Sequence, residues 1–294
     1  MSTRPRVRFI INPVSGTRSK VDVAARIKLY LDHGKLDHDI VYTDYAGHAT
    51  ELAAAAAAAN YSIVVAVGGD GTVNEVARGL RHTDTALAIL PKGSGNGLAR
   101  HLHIPLQLNS AIKMLSTGKI TRIDSGTIND MPFFTTAGIG FDAYISSVFA
   151  GNKRRGLKTY VELVLKEVRA YKHLPVKVWL NEKELQTDCF VLAFANAAQY
   201  GNNAYIAPLA DIQDGLLDVC LIRQLDFVKA LNLSYCMLTR QLANPHSAEY
   251  FKTTEVRVET EVPMMFHVDG EFKGKENQFE VKINPLSLKV LIPA

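Results

Sequence analysis

Three short apolar runs in the N-terminal third of this chain each stop at a loop of glycine and small polar residues, and that recurrence constrains the fold more than any other feature. The run 63–67 leads into Gly68-Gly69-Asp70-Gly71-Thr72, and the run 85–90 into Pro91-Lys92-Gly93-Ser94-Gly95-Asn96-Gly97. The run 7–11 leads into Asn12-Pro13-Val14-Ser15-Gly16. Glycine lets the main chain approach a ligand closely or take positive φ. A helix that opens just after such a loop offers unsatisfied N–H groups and a dipole that favours anions. In an open α/β sheet the strand ends gather at one carboxyl edge, where ligands bind. Asp70, in the middle of its loop, is placed to hold a cation or a phosphate-bound metal. Thr72-Val73-Asn74-Glu75 also fits a capping box, with Thr72 as N-cap and Glu75 reaching back. One loop of this kind could be no more than a capped turn. Three in succession point to nucleotide phosphoryl chemistry.

The spacing of apolar residues divides the chain in two. From residue 7 to about 128, short strands alternate with helical stretches, among them 49–59, which runs through seven consecutive alanines, and 111–115, which stops at Gly118. Alanine is the strongest helix former, and alternation of this kind predicts a mostly parallel sheet with helices on both faces. After Asn129-Asp130-Met131-Pro132 the texture turns strand-like, over 133–138, 176–180, 185–196, 216–223, 255–259 and 264–268. Two helices interrupt it, 157–171, amphipathic by its Val161, Leu165 and Val168, and 227–242. The expectation is an α/β domain over 1–128 and a predominantly antiparallel β domain with helices over 129–286. The last stretch, 287–294, is free to return to the first domain.

Composition narrows the classes further. With 294 residues, 47% of them hydrophobic, the chain can bury one large core or two smaller ones. It holds no apolar run of 18 residues and no signal-peptide core after Met1, so a cytoplasmic protein is expected. Cys189, Cys220 and Cys236 are too widely spaced for a zinc pattern and read as buried apolar positions in a reducing compartment. A net charge of +4 permits attraction to anionic surfaces without implying nucleic acid. The nine histidines show no metal-ligating spacing, and His101 and His103 read as solvated.

Two C-terminal stretches carry chemistry-bearing residues. Val268-Asp269-Gly270-Glu271 is an ordinary Asp-Gly hairpin signal, yet a carboxylate just past a rigid turn is also well placed to accept a proton. Asp211-Ile212-Gln213-Asp214-Gly215-Leu216 offers two carboxylates and a glycine able to turn a carbonyl inward. That is either a polar turn before a strand or a set of hard oxygen ligands for Mg²⁺ or Ca²⁺. Asn152-Lys153-Arg154-Arg155-Gly156-Leu157-Lys158 reads as a solvated basic loop that could also dock on anionic headgroups. Thr43, after the run 40–42, is on its own a loop threonine.

Taken in order, Asn12-Pro13-x-Ser15-Gly16, Gly68-Gly69-Asp70-Gly71-Thr72-x-Asn74-Glu75, Pro91-x-Gly93-Ser94-Gly95-Asn96, Pro208-x-Ala210-Asp211-x-x-Asp214-Gly215 and His267-Val268-Asp269-Gly270-Glu271 resemble the diacylglycerol kinase catalytic family, which includes bacterial lipid kinases, sphingosine kinases and ceramide kinases. The likeness spans nearly the whole chain. It implies an N-terminal domain like that of NAD kinase and phosphofructokinase, a β-rich second domain, and return of the final strand to the first. It implies that ATP is held by Asn12, Ser15, Thr43, Gly68, Gly69, Asp70, Gly71, Thr72, Asn74, Glu75, Gly93, Ser94, Gly95 and Asn96. Asp70 would help hold the catalytic Mg²⁺ and Glu271 would be the general base. Asp211, Asp214 and the carbonyl of Leu216 would hold a structural Mg²⁺, or Ca²⁺. The acceptor would be the hydroxyl of a membrane lipid, bound in a cleft between the domains of a peripheral protein; a homodimer is compatible with this.

Other readings remain beside it. NAD kinases share the Gly-Gly-Asp-Gly turn, but the second loop and the Asp-Gly-Glu motif favour a lipid acceptor. A Rossmann dehydrogenase would need a third glycine where Leu98 stands. Neither a G-x-x-x-x-G-K-[ST] loop nor the protein-kinase signatures occur. A nucleotide-binding pseudokinase with a regulatory role would not need both Asp70 and Glu271. One departure stands out: bacterial diacylglycerol kinases usually carry aspartate where this chain has Gly97. Its loss could weaken the link between the nucleotide loop and the cleft, with Asp124 left to meet a water or metal. It also admits a sphingoid or ceramide-like alcohol beside diacylglycerol as acceptor.

Overall fold

The structure is a computed structural model that describes residues 4–15, 22–151, 157–181, 183–225, 227–242 and 247–294. Gly16 and most of the basic stretch 152–158 lie outside the described residues. Two compact units result, one of Met1–Ile123 with Leu286–Ala294, the other of Asp124–Pro285. The division falls inside the strand Lys119–Ile128, between Ile123 and Asp124, where the sequence had placed it at 128.

In the first unit the strands Asp37–Tyr42, Arg6–Ile11, Ile63–Gly68 and Ala86–Pro91 lie side by side in that order, all parallel. The end of the chain joins them, with Val290 paired to Leu87, also in parallel. Ile63–Gly68 and Ala86–Pro91 are buried along their whole length, as the interior strands of a parallel sheet must be with helices on both faces. The alanine run belongs to the helix His48–Ala58, and Ala49, Ala53 and Ala56 are its buried face. That face lies against the helix Asp70–Leu80, where a side chain on Gly79 would come within 2.4 Å of the Thr50 carbonyl. Small residues on both helices allow the close approach.

The second unit is built on antiparallel pairs. Glu249–Thr253, Leu217–Ile222, Val191–Ala195, Thr136–Gly140 and Glu255–Val268 are neighbours in that order. Leu174–Leu180 pairs with Glu255–Val268, and Lys183–Cys189 with Leu174–Leu180. Alternate residues feed two cores. Leu192, Phe194, Val219 and Leu221 pack with Val256, Val258 and Phe279, while Val191, Ala193, Cys220 and Ile222 pack under the helices Phe141–Ala150, Leu157–Glu167 and Phe227–Thr239. The three cysteines are free and buried, and burial pushes the Cys220 thiol up to about 12.

Three strands differ from the sequence expectation. The run 133–138 breaks between Met131–Phe133 and Thr136–Gly140, because the N–H groups of Phe134 and Thr135 turn to the Asp269 carboxylate. The run 185–196 breaks at Phe190, where the chain passes from the Leu174–Leu180 pairing to that of Thr136–Gly140 and Leu217–Ile222. Conversely, 255–259 and 264–268 form one strand, Glu255–Val268, with its register shifted between Glu259 and Met264. Among the described residues no helix is long and apolar enough to cross a membrane.

Candidate functional site

The first unit brings its three loops together through side chains that bond backbone. Asn12 Nδ2 donates to Thr72 Oγ1 at 3.1 Å, and Ser15 Oγ donates to the Asn12 carbonyl at 2.8 Å. Thr43 follows the neighbouring strand, its N–H donating to the Ile11 carbonyl at 3.0 Å. Asp70 crosses to the second loop. Its Oδ2 accepts the Asn96 N–H at 2.9 Å and its Oδ1 accepts the Gly97 N–H at 2.7 Å. Asn96, at φ 52°, closes its own loop, its Oδ1 accepting from the Gly93 N–H and its Nδ2 donating to the Gly93 carbonyl. The loops touch main chain to main chain. A Cβ on Gly93 would lie 2.8 Å from Gly69 Cα, and one on Gly95 2.8 Å from Asp70 Oδ2.

The capping box does not form. The helix begins at Asp70 with Gly69 as N-cap, and no side chain caps it. Thr72 is therefore inside the first turn, buried, and occupied with Asn12. Glu75 reaches the neighbouring helix instead, its Oε2 accepting the Ala49 N–H at 3.2 Å while its carbonyl accepts from Thr50 Oγ1. Asn74 is buried and Gly68 lies at the end of the fully buried strand, so both shape the edge from beneath. The uncapped turn at Gly71 and the exposed Ser94 present an edge that fits phosphate. Gly97 supplies its N–H to Asp70, so the two loops are bridged by a backbone donor at that position.

In the second unit the Asp-Gly hairpin forms as expected, with Asp269 at φ 47°, Gly270 at φ 81° and Val268 paired to Glu271. The Asp269 carboxylate points away from the turn's tip. Its Oδ1 accepts the N–H of Thr135 at 2.8 Å, the N–H of Thr136 at 3.1 Å and the Thr135 hydroxyl at 2.6 Å, and its Oδ2 accepts the Phe134 N–H at 3.0 Å. A buried network holds the other side. His267 Nδ1 accepts the Gly270 N–H at 3.3 Å, which puts the ring proton on Nε2, 3.0 Å from Asp142 Oδ2. Tyr200 donates its hydroxyl to the same oxygen at 3.0 Å. Glu271 is left as the accessible carboxylate, its side chain 54% exposed and its Oε2 accepting from Lys273 Nζ at 2.9 Å. Sequence reasoning quoted His267 in its motif without a role and missed Asp142 and Tyr200, whose separation along the chain hides a network that only the fold assembles.

The expected metal ligands meet protein groups. Asp211 Oδ1 accepts the Gln213 N–H, and Asp214 Oδ1 accepts the Leu216 N–H. Asp214 Oδ2 accepts from Lys252 Nζ at 2.7 Å, and the same ammonium lies 3.5 Å from Asp218. Asp124 Oδ2 accepts the Gly215 N–H at 2.8 Å. Among the described residues no three acidic, histidine or cysteine side chains converge as a metal site. Lys252 is the cation paired with Asp214 here, and it competes with any divalent ion that Asp211, Asp214 and the Leu216 carbonyl would hold.

The chain matches known proteins over both units. Residues 6–128 match the diacylglycerol kinase catalytic domain, and residues 135–292 the YegS C-terminal NAD kinase beta sandwich-like domain. A Chromohalobacter salexigens protein named "Probable lipid kinase YegS-like" is 31% identical over 253 residues, 84% of this chain and 81% of that one. A Mycobacterium tuberculosis protein named diacylglycerol kinase is 30% identical over 299 residues, 98% of this chain and 95% of its own. A crystal structure described as a diacylglycerol kinase from Bacillus anthracis shares the fold, with a TM-score of 0.75 over 99% of this chain and 98% of that one, at 19% identity. Interlocked glycine loops in one unit, an anchored Asp-Gly-Glu turn in the other and matches along both place this chain in the diacylglycerol kinase family of lipid kinases.

Proposed function

We propose that this protein transfers the γ-phosphate of ATP to the hydroxyl of a diacylglycerol, with Glu271 as the general base. One observation carries the reading. Asp269 is wholly engaged in anchoring the turn, and His267 holds the turn's backbone, so Glu271 is the carboxylate left facing solvent on a rigid support. A base placed this way takes the hydroxyl proton as the oxygen attacks phosphorus; the bond from phosphorus to the β,γ-bridging oxygen breaks and ADP leaves. The nucleotide reading rests on the first unit, where the uncapped turn after Gly69 and the exposed Ser94 would receive phosphate oxygens, and Asn12, Ser15 and Thr43 would border them. Mg²⁺ arriving on ATP would neutralise charge developing on the phosphates, with Asp70 the carboxylate of these loops to meet it. Asp70 does a second job as the clamp between the loops, fixing the phosphate edge before the nucleotide binds. Relatives named diacylglycerol kinase favour diacylglycerol here over a sphingoid or ceramide-like acceptor.

The test is transfer of radiolabelled phosphate from ATP across diacylglycerol, ceramide, a sphingoid base, phosphatidylglycerol and NAD. The reading expects kcat/KM to be highest for diacylglycerol, since discrimination between acceptors resides in that ratio. A tenfold preference for a sphingoid base or NAD would replace the acceptor, and ATP binding with no transfer to any of them would make the protein a nucleotide-binding pseudokinase.

A further inference from the structure

The helix Phe227–Thr239 covers the second unit's core with Ala230, Leu233 and Cys236, yet its opposite face is also apolar. Val228 is 74% exposed, Leu231 50%, Tyr235 60% and Leu238 60%, at the alternating three- and four-residue spacing of one helix stripe. Leu242, just past the helix, extends the patch at 46% exposure. It shares a shallow depression of about 150 Å³ with Leu209, itself 66% exposed, and with Phe251. A helix apolar on both faces normally sits between two apolar bodies. Among the described residues only one of them is present.

We propose that this face docks on an anionic lipid bilayer, lying in the interface without crossing it. Charge argues for that occupant. From Phe227 to Ala248 the chain carries Lys229, Arg240 and His246 and not one acidic residue. Arg240, exposed at the helix end, stands over the Tyr205 ring at 5.3 Å and keeps its charge at the rim of the patch. An apolar stripe whose own segment is charged only by Lys229 and Arg240, with Lys252 beside Asp218 in the adjoining depression, fits the boundary between headgroups and acyl chains. Size argues against a second copy of the chain. A helix of this length offers a face roughly 20 Å long and about 10 Å wide, well short of the about 800 Å² that each partner buries in a stable dimer. A bilayer asks for no matching shape, and the stripe's side chains can enter it singly. This inference rests on the lipid-kinase reading for its purpose, since an enzyme whose acceptor stays in a membrane must reach it there. The binding itself is measurable without turnover.

The experiment is flotation of the intact protein with vesicles of phosphatidylcholine alone, or with phosphatidylglycerol added, in the absence of ATP. Wild-type protein is expected to float with the anionic vesicles, less so at high salt. The double variant Leu231→Ser, Leu238→Ser is expected to lose partitioning by at least about tenfold, and Leu231→Glu likewise. All these side chains are solvent-exposed, so circular dichroism and melting should match wild type. Turnover of a short-chain diacylglycerol dispersed in water should be unchanged, which separates this inference from the kinase reading. Equal flotation of wild type and both variants would overturn it. So would a wild-type dimer in solution that the double variant converts to monomer, because the occupant would then be a second copy.

Discussion

Replacing Asp269 tests the anchoring of the Asp-Gly-Glu turn. Three backbone N–H groups and one hydroxyl converge on that carboxylate, at 2.6 to 3.1 Å for the closest bond of each donor. Asp269→Ala removes the acceptor from all of them. A stranded donor costs about 1–3 kcal/mol when water cannot reach it. These groups are partly buried, so three stranded N–H groups at the low end give a loss of about 3–5 kcal/mol, a large share of the roughly 5–15 kcal/mol that a folded protein has in hand. Asp269→Asn keeps the shape but offers one acceptor oxygen and no charge, for a loss of about 1–3 kcal/mol. The single tryptophan, Trp179, lies on a strand of the same unit, and its fluorescence can follow urea unfolding there. The midpoint should shift down in the order Asp, Asn, Ala with an unchanged slope. A midpoint for Asp269→Ala within about 0.5 kcal/mol of wild type would refute the claim that this carboxylate anchors the turn.

Asp70→Ala strands the N–H groups of Asn96 and Gly97; it should abolish turnover and lower the melting temperature by roughly 3–8 °C, and an unchanged melting temperature would remove Asp70 as the clamp. Lys252→Met should lower the melting temperature and make it responsive to Mg²⁺ without ATP, whereas wild type should not respond, because its ammonium already partners Asp214; a wild-type rise of several degrees with Mg²⁺ alone would show that the ion displaces the ammonium. Burial alone would raise the Asp39 carboxyl, but hydrogen bonds from Arg8 and Tyr61 outweigh it and hold the group below the usual carboxylate range. The unfolded chain therefore takes up this proton first, so the contribution is complete above about pH 4 and is lost as pH falls through the lowered folded value. Melting of wild type against Asp39→Asn should show a steady difference of about 0.5–1.5 kcal/mol from pH 5 to 8, modest for a partly exposed pair, that shrinks below pH 4; a difference growing toward acid would contradict the sign.

The parallel sheet was legible because each strand ends in its own turn chemistry, and the Asp-Gly hairpin because its two residues demand positive φ. What the sequence could not show is which partner each polar side chain chooses. Glu75 satisfies the capping pattern locally, yet the helix starts earlier, directly out of Gly68-Gly69, and frees Glu75 to cap the neighbouring alanine helix. Asp211 and Asp214 have the spacing of an ion site, but Lys252, on a strand that joins the sheet much later in the chain, arrives beside Asp214. The break at Phe134 and Thr135 was hidden for the same reason, since the acceptor that draws their N–H groups out of the ladder is Asp269. Asp142 and Tyr200 carry no local signature at all, and nothing local says that His267 will meet them. Their meeting depends on Thr136–Gly140 lying beside Glu255–Val268, where a Cβ on Gly138 would collide with both Asp142 and His267.

The most direct measurement of the central claim is kcat for phosphate transfer from ATP to diacylglycerol by wild type and Glu271→Gln, with ATP affinity measured on both. Glutamine keeps the side chain's size and its place beside Lys273 but cannot accept the hydroxyl proton. The account predicts a fall in kcat of roughly 10²–10⁴-fold with nucleotide binding retained. Turnover by Glu271→Gln close to that of wild type would contradict it.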